Sequence, residues 1–185
     1  AAFKRELVPL IPHLRAFART LCGDATAADD LAQDAMMKAW DARASFQMGT
    51  NMKAWTFMIL RNQFYSEKRR SWRQTQLDQE AAERTLVAVD DPEAPVALDE
   101  LRLSLAQLPA EQREALILVG AGGFAYEEAA EICGCAVGTV KSRVSRARRA
   151  LHVILEDGAY ERDGRSAGDA MRSILADAER LSNVR

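Results

Sequence analysis

The sequence predicts an all-α chain, two small helical domains joined by an acidic, flexible linker, and three observations carry that expectation. Apolar residues recur every three or four positions along most of the chain, the period of helices with one buried side. Residues 74–97 interrupt the pattern with acid and proline, which make poor core material. Beyond them a short helical segment, a turn glycine and a basic amphipathic segment succeed one another between Tyr126 and Leu151, the spacing of a helix-turn-helix. The boundaries expected are a first domain at 1–73, the linker at 74–97, a second domain at 98–156 and a tail at 157–185.

In chain order, Phe3, Leu7, Leu10, Leu14, Phe17 and Leu21 alternate four- and three-residue steps. Pro9 and Pro12 fall inside this run and predict a short helix, a break, and a second helix to about Cys22, closed by Gly23-Asp24. Thr26-Ala27-Ala28-Asp29 has the spacing of a capping box and starts a helix through about Asp41, with Leu31, Ala35, Met36, Ala39 and Trp40 as its buried stripe. Asp30, Gln33, Asp34 and Lys38 lie off that stripe, and by pattern alone are equally a solvated face. Ser45 to Thr50 is a loop turning at Gly49, with Thr50 or Asn51 capping the next helix. Asn51 to Trp72 reads as one helix of roughly 30 Å. Trp55, Met58, Ile59, Asn62 and Tyr65 form a stripe on it. Arg61, Lys68, Arg69, Arg70 and Arg73, interleaved with Phe64, Tyr65 and Trp72, give it a cationic, aromatic end. That mixture suits an unpaired nucleic-acid strand, because bases stack on the rings while phosphates meet the cations. An aromatic stripe taken alone is more often core.

In the linker, Asp78, Glu80, Glu83, Asp90, Asp91 and Glu93 surround a short apolar island, Leu86-Val87-Ala88-Val89, with Pro92 and Pro95 stiffening the chain. Leu98, Leu101, Leu105 and Leu108 face one side of the next helix. Pro109 at a first helical position, with Glu111 in the first turn, starts another through Val119. Gly120-Ala121-Gly122-Gly123-Phe124 turns the chain into Tyr126–Ile132, whose start has Ala125 where a capping hydroxyl is usual, at a cost of about 1 kcal/mol. Cys133-Gly134-Cys135 breaks that helix, Gly134 supplying the positive φ of a tight turn. Val140, Val144, Ala147 and Leu151 then make one apolar stripe, while Lys141, Ser142, Arg143, Ser145, Arg146, Arg148 and Arg149 cover the rest. Such a helix packs one side on a core and offers the other to an anion; the plain alternative is a solvated basic helix on an ordinary bundle. In the tail, Gly158, Gly164 and Gly168 favour irregular chain, and Met171, Ile174, Leu175, Ala178 and Leu181 predict an amphipathic helix.

The chain is 48% hydrophobic and 28% charged, a globular composition. Its net charge of −2 argues against a nucleic-acid partner only if the charge is evenly spread. It is not: base concentrates in 61–73 and 141–149, acid in 24–41 and 78–100, and a local field is what binds DNA. No apolar run is long enough to span a membrane and no secretory signal is visible, which predicts a cytoplasmic protein. Three cysteines, an odd number, suit a reducing compartment. Cys133, Cys135 and His152 lack a second ligand pair at zinc spacing, so the cysteines read as small packing residues and no metal is expected. No nucleophile–base set or phosphate loop is present, so neither catalysis nor a cofactor is expected.

The segment Tyr126 to Arg149 resembles region 4 of bacterial sigma factors of the extracytoplasmic-function group, and the N-terminal half resembles their region 2. The wording Phe57-Met58-Ile59-Leu60-Arg61-Asn62-Gln63-Phe64-Tyr65-Ser66-Glu67-Lys68-Arg69-Arg70 and Gly120-Ala121-Gly122-Gly123-Phe124 is similar to the general-stress sigma factors of alphaproteobacteria. The resemblance covers about residues 1–155. It implies a non-catalytic subunit that directs RNA polymerase core to promoters. Its partners would be the core enzyme, through the β′ clamp and β flap, promoter DNA, and an anti-sigma factor that covers both domains. Asp30, Gln33 and Asp34, with Lys38 beside them, match the segment that docks on the β′ clamp helices. The loop and long helix would serve the −10 element: Phe46 and Asn51 at a pocket for a flipped base, Asn62, Tyr65, Lys68, Arg69, Arg70, Trp72 and Arg73 along the strand. Lys141, Ser142, Arg143, Ser145 and Arg146 would meet the −35 major groove, with Arg148 and Arg149 on phosphates. The acidic linker would follow a cationic path near the RNA exit, although a plain soluble tether accounts for it equally.

Two rivals come from other classes. A sigma-like decoy would only sequester the anti-sigma factor; it would be free to lose its DNA contacts and would carry a receiver domain, whereas both basic tracts are intact here. A conventional helix-turn-helix regulator leaves the aromatic, basic helix at 51–72 unexplained.

Overall fold

The first helical run breaks at Pro9, and Pro12 stands in the first turn of the helix that follows. A computed structural model describes residues 2–77 and 96–157. It gives α1 at Ala2–Leu7, a 3-10 turn at Val8–Leu10 and α2 at Ile11–Cys22. Gly23 closes α2 at φ 73°, its N–H donating to the carbonyl of Arg19. Helix α3 spans Ala25–Asp41. Its cap is Asp24, whose carboxylate accepts from the Ala27 N–H at 2.7 Å. This corrects the capping box expected at Thr26: the extended backbone of Asp24 (φ −112°, ψ 134°) aims an acceptor at the first free N–H groups. A second 3-10 turn, Ala42–Ser45, leads through the Gly49 turn (φ 90°) to α4, Met52–Leu77. Asn51 caps α4 through its Oδ1, 3.0 Å from the Ala54 N–H.

The chain divides into an N-terminal and a C-terminal compact unit. In the N-terminal unit α2, α3 and α4 pack together. Helix α3 turns an almost all-alanine face inward: Ala28, Ala32, Ala35 and Ala39 are buried with Leu31, and such small side chains let neighbouring helices approach closely. Leu14, Phe17, Ala18 and Leu21 of α2 meet Phe57 and Leu60 of α4 in this core, with the Phe17 and Phe57 rings stacked at 4.8 Å. The buried face of α4 is therefore Met52, Ala54, Thr56, Phe57 and Leu60. This is rotated from the stripe expected at Trp55, Met58, Ile59, Asn62 and Tyr65, of which Trp55 and Ile59 are partly buried and Asn62 is exposed. Trp40, expected in the core, is 44% exposed: it meets Phe3 of α1, edge to face at 6.1 Å between ring centres, at the rim of the core. Thr56 satisfies its buried hydroxyl on the carbonyls of Met52 and Lys53.

In the C-terminal unit α5 (Val96–Ala106) and α6 (Ala110–Gly120) lie against α8 (Val137–Asp157). Helix α7 spans Tyr126–Cys133, and the division between the units falls within it, after Ala130. Pro109 stands at the N-cap of α6, one position earlier than expected. Its carbonyl accepts from the N–H groups of Gln112 and Arg113, both at 2.9 Å. Leu108, Ala115, Leu116 and Leu118 join Val140, Val144, Ala147 and Leu151 in the core, and the last four are the stripe read from the sequence. The segment 120–124 is a closed cap: Gly122 donates to Ile117, Phe124 donates to Leu118, and the Phe124 ring is buried. Linker residues 74–77 belong to α4, and 96–97 to α5. The island at 86–89, the linker prolines and the expected tail helix fall within 78–95 and 158–185, outside the described residues.

Two pairs of substitutions test these local arguments by thermal denaturation of the full chain. A Cβ at Gly122 would meet the Leu118 carbonyl oxygen at 2.6 Å, whereas one at Gly120 meets nothing within 4 Å. Gly122→Ala is expected to destabilise by about 1–3 kcal/mol, and Gly120→Ala to be neutral or stabilising by up to about 1 kcal/mol. Asp24→Ala is expected to cost about 1 kcal/mol and Thr26→Ala almost nothing; equal losses would restore Thr26 as the cap.

Candidate nucleic-acid and polymerase interfaces

A turn and a helix position the basic residues of the C-terminal unit. Ala125, which lacks a capping side chain, receives the reciprocal half of a capping box: its N–H donates to Glu128 Oε2 at 2.9 Å. Helix α7 ends at Gly134, φ 63°, and Cys135 donates back to the Ala130 carbonyl at 3.1 Å. Ala136 accepts from Thr139 and Val140, so α8 begins within two residues of the turn. With Val140, Val144 and Ala147 locked in the core, Lys141, Ser145, Arg146, Arg148 and Arg149 are all exposed. Lys141 lies 5.7 Å from the centre of the Tyr126 ring. Ser142, half-buried, donates to the Thr139 carbonyl and accepts from Arg146 at 3.1 Å, which makes it a brace for Arg146. Arg143 is different. Its side chain is 17% exposed, paired with Glu111 at 2.6 Å and 3.6 Å from Cys135 Sγ.

In the N-terminal unit the second half of α4 runs beyond the buried core, and a helix of 26 residues is about 39 Å long. Asn62, Lys68, Arg69, Arg70, Trp72 and Arg73 are exposed, Trp72 at 64%. Two cation–ring pairs order this stretch before any ligand arrives: the Arg61 guanidinium 4.5 Å from the Tyr65 ring and the Lys68 ammonium 5.9 Å from Phe64. Phe64 and Tyr65 meet edge to face at 5.2 Å. The residues expected at a base pocket fare differently. Phe46 is only 8% exposed, in contact with Phe3 at 5.8 Å and Trp55 at 4.9 Å between ring centres, and it belongs to the core cluster with Leu7, Ala39 and Met52. Its ring therefore offers no free face for stacking, a correction to the expectation. A loop phenylalanine reads as exposed in sequence but is drawn inward by the aromatics of α1 and α4. Asn51 is exposed, with its Oδ1 already engaged as the α4 cap.

On α3, Asp30, Gln33 and Asp34 are exposed along one side, as their position off the buried stripe requires. Lys38 is also exposed, and its ammonium donates to Gln63 Oε1 of α4, whose amide in turn donates to Glu67. Arg15 of α2 holds Asp29 at 3.0 Å, which fixes the start of that face. Three surface features go beyond what the sequence predicts. Met37 is 58% exposed, Trp40 carries the Arg43 guanidinium 5.0 Å from its ring, and Glu111 is a partner for Arg143. The first two lie on the helix period of α3, which marks where an exposed side falls but not which apolar residues that side keeps. The third joins residues 32 apart, which no local pattern announces.

Burial, then the charges of Glu67 and Asp24, push the Cys22 thiol up to about 11, so it stays protonated and unreactive near neutral pH. Among the described residues no group of His, Cys, Asp and Glu is arranged to hold a metal, and no helix is long and apolar enough to cross a membrane.

Residues 9–74 match the family profile of sigma-70 region 2, and residues 98–151 that of sigma-70, region 4. The chain is 47% identical over 161 residues to the ECF RNA polymerase sigma factor EcfG of Rhodopseudomonas palustris (strain TIE-1), covering 86% of this chain and 89% of that one. It is 34% identical over 129 residues to the ECF RNA polymerase sigma factor SigC of Mycobacterium tuberculosis, covering 69% and 70%. Among solved structures, the sigma factor RpoE of Bartonella quintana, crystallised with the anti-sigma factor NepR, superposes with a TM-score of 0.76 at 48% identity, covering 84% of this chain and 97% of that one. With an exposed cationic helix behind a glycine turn, a second cationic helix bearing aromatics, and this similarity over 70–97% of the length of its relatives, the chain belongs to the ECF RNA polymerase sigma factors.

Proposed function

We propose that this chain is a promoter-specificity subunit of the general stress response: it carries core RNA polymerase to its promoters and is held in check by an anti-sigma factor. The observation that carries the reading is the pair of exposed basic surfaces on one chain, on α8 and on the second half of α4. A repressor needs only the first, and a decoy needs neither. The Bartonella quintana relative was solved with an anti-sigma factor, and its likeness to this chain supports control by a partner of that kind.

In this reading α8 enters the −35 major groove. Lys141, Ser145 and Arg146 reach base edges, Ser142 holds Arg146 in its reading rotamer, and Arg148 and Arg149 neutralise phosphates. Helix α4 serves the −10 element. Asn62 and the ordered Tyr65 meet the melting strand, Trp72 offers a free ring, and Lys68, Arg69, Arg70 and Arg73 follow the backbone. Asp30, Gln33 and Asp34 dock on the polymerase clamp, while Lys38 ties that face to α4 through Gln63. Asn51 contributes through the loop it caps, and Phe46 by holding that loop to the core. The protein then works in the cytoplasm and contributes no catalytic group, since nucleotide addition belongs to the core enzyme.

Run-off transcription with sigma-free core polymerase on a promoter library tests the reading. Promoter-dependent initiation that requires this protein is expected, and failure to bind core polymerase at all would refute it. Arg146→Ala should lose about 1–3 kcal/mol of discrimination at one −35 base pair, measured by competition between promoters; unchanged preference removes Arg146 from the reading set. Trp72→Ala should leave thermal stability within about 0.5 kcal/mol yet weaken binding to the −10 strand by about 1–3 kcal/mol. Phe46→Ala should do the reverse first, destabilising the N-terminal unit by about 3–5 kcal/mol; selective loss of −10 binding at full stability would return Phe46 to the base pocket.

A further inference from the structure

We propose that Glu111 and Arg143 form a positioning pair: the Glu111 carboxylate withdraws Arg143 from the DNA-reading set and fixes the rotation of α8 against α6. The proposal rests on the reading of α8 as the −35 recognition helix.

Arg143 sits among cations on α8, where its place in the sequence assigns it to DNA. Its surroundings assign it elsewhere. From α8 the guanidinium reaches the first turn of α6 through Glu111 Oε2 at 2.6 Å, and the helix-turn-helix turn through Cys135 Sγ at 3.6 Å. Its side chain is 17% exposed while Glu111 is 64% exposed, so the arginine has been drawn in and the carboxylate lies over it. Arg146, one turn along α8, stays exposed with Ser142 as its brace. The two arginines thus differ in environment although the sequence treats them alike.

The physical consequences are distinct. A charge-assisted pair at this distance has strong directionality, and a guanidinium already neutralised by a carboxylate releases no counterion when DNA arrives. Arg143 therefore adds nothing to the salt dependence of binding. What it adds is geometry: rotation of α8 by one residue's angle would swing Lys141, Ser145 and Arg146 away from the groove together. The apolar stripe on α8 resists that rotation only as far as Val140, Val144 and Ala147 fit their neighbours, and the ion pair supplies a directional stop.

The test uses the full chain assembled with core RNA polymerase on promoter duplexes that differ only in the −35 sequence, titrated through a salt series. Glu111→Gln, Arg143→Met and the double variant are compared with Arg149→Ala, a phosphate contact in the proposed set. The double variant, which removes both charges together, is expected to lose affinity on the order of tenfold at every −35 sequence, with the ranking of sequences and the salt slope unchanged. Each single variant should lose affinity at every sequence too, its slope moving only with the charge left unpaired, up for Glu111→Gln and down for Arg143→Met. Arg149→Ala should instead reduce the slope by about 0.9. A reduced slope for the double variant, or preference flattened at one base pair in it, would show that Arg143 touches DNA and would overturn the proposal. So would unchanged or tighter binding by Glu111→Gln. Because Glu111 is exposed and glutamine keeps its shape, that variant decides the question even if Arg143→Met does not fold, which circular dichroism reports. A wild-type complex with no −35 preference would refute the promoter reading itself, a result separate from either outcome for the pair.

Discussion

The fit of one apolar stripe, Val140, Val144, Ala147 and Leu151, against α6 and α5 is the constraint on which the C-terminal unit depends. A helix has a single rotation about its axis, so burying those four side chains also fixes where every other residue of α8 points. Lys141, Ser145, Arg146, Arg148 and Arg149 face water because there is no other side left for them. The turn upstream serves the same end. Gly134 takes a conformation that a side chain would disfavour, which lets α8 begin soon after the end of α7. Packing energy and functional geometry are thus two readings of the same seam.

The N-terminal unit solves a similar problem with different material. Helix α4 must be a core helix at one end and a cationic surface at the other. It does so along its length: the buried positions fall between Met52 and Leu60, and none occurs from Arg61 to Arg73. The rings that continue past the core are not loose, since Arg61 stacks on Tyr65 and Lys68 on Phe64. Cation–ring pairs of this kind hold long side chains that would otherwise be ordered only on binding a partner. The alanine face of α3 lets its neighbours close in, and Trp40 and Met37 of the same helix stay at the surface beside the acidic positions.

Charge is organised at the scale of elements. A net charge of −2 averages over a segregated molecule, because acid is concentrated on α3 and base on α4 and α8. On α8 the basic field is tempered where Glu111 meets Arg143, and on α3 the single lysine among the acidic positions is turned toward Gln63. Such local neutralisation leaves only selected charges unpaired on each surface.

The sequence by itself determined the helical class, the two-part organisation, the break at Pro9, and the buried stripe of α8. All of these come from residue spacing and from the backbone chemistry of proline and glycine, which act within a few positions. The same local logic made the exposed cations of α8 and the acidic face of α3 legible. What the tertiary structure alone decided depends on contacts between distant positions. Asp24 rather than Thr26 caps α3, because the backbone angle at the end of the Gly23 turn chooses the acceptor. Phe46 becomes core rather than pocket because Phe3 and Trp55 converge on it from two other helices. Arg143 is drawn in among the cations of α8 because a carboxylate 32 residues away reaches it. Periodicity tells which side of a helix is buried; it cannot tell which single polar residue a neighbouring helix will capture, since that is set by where the neighbour lies.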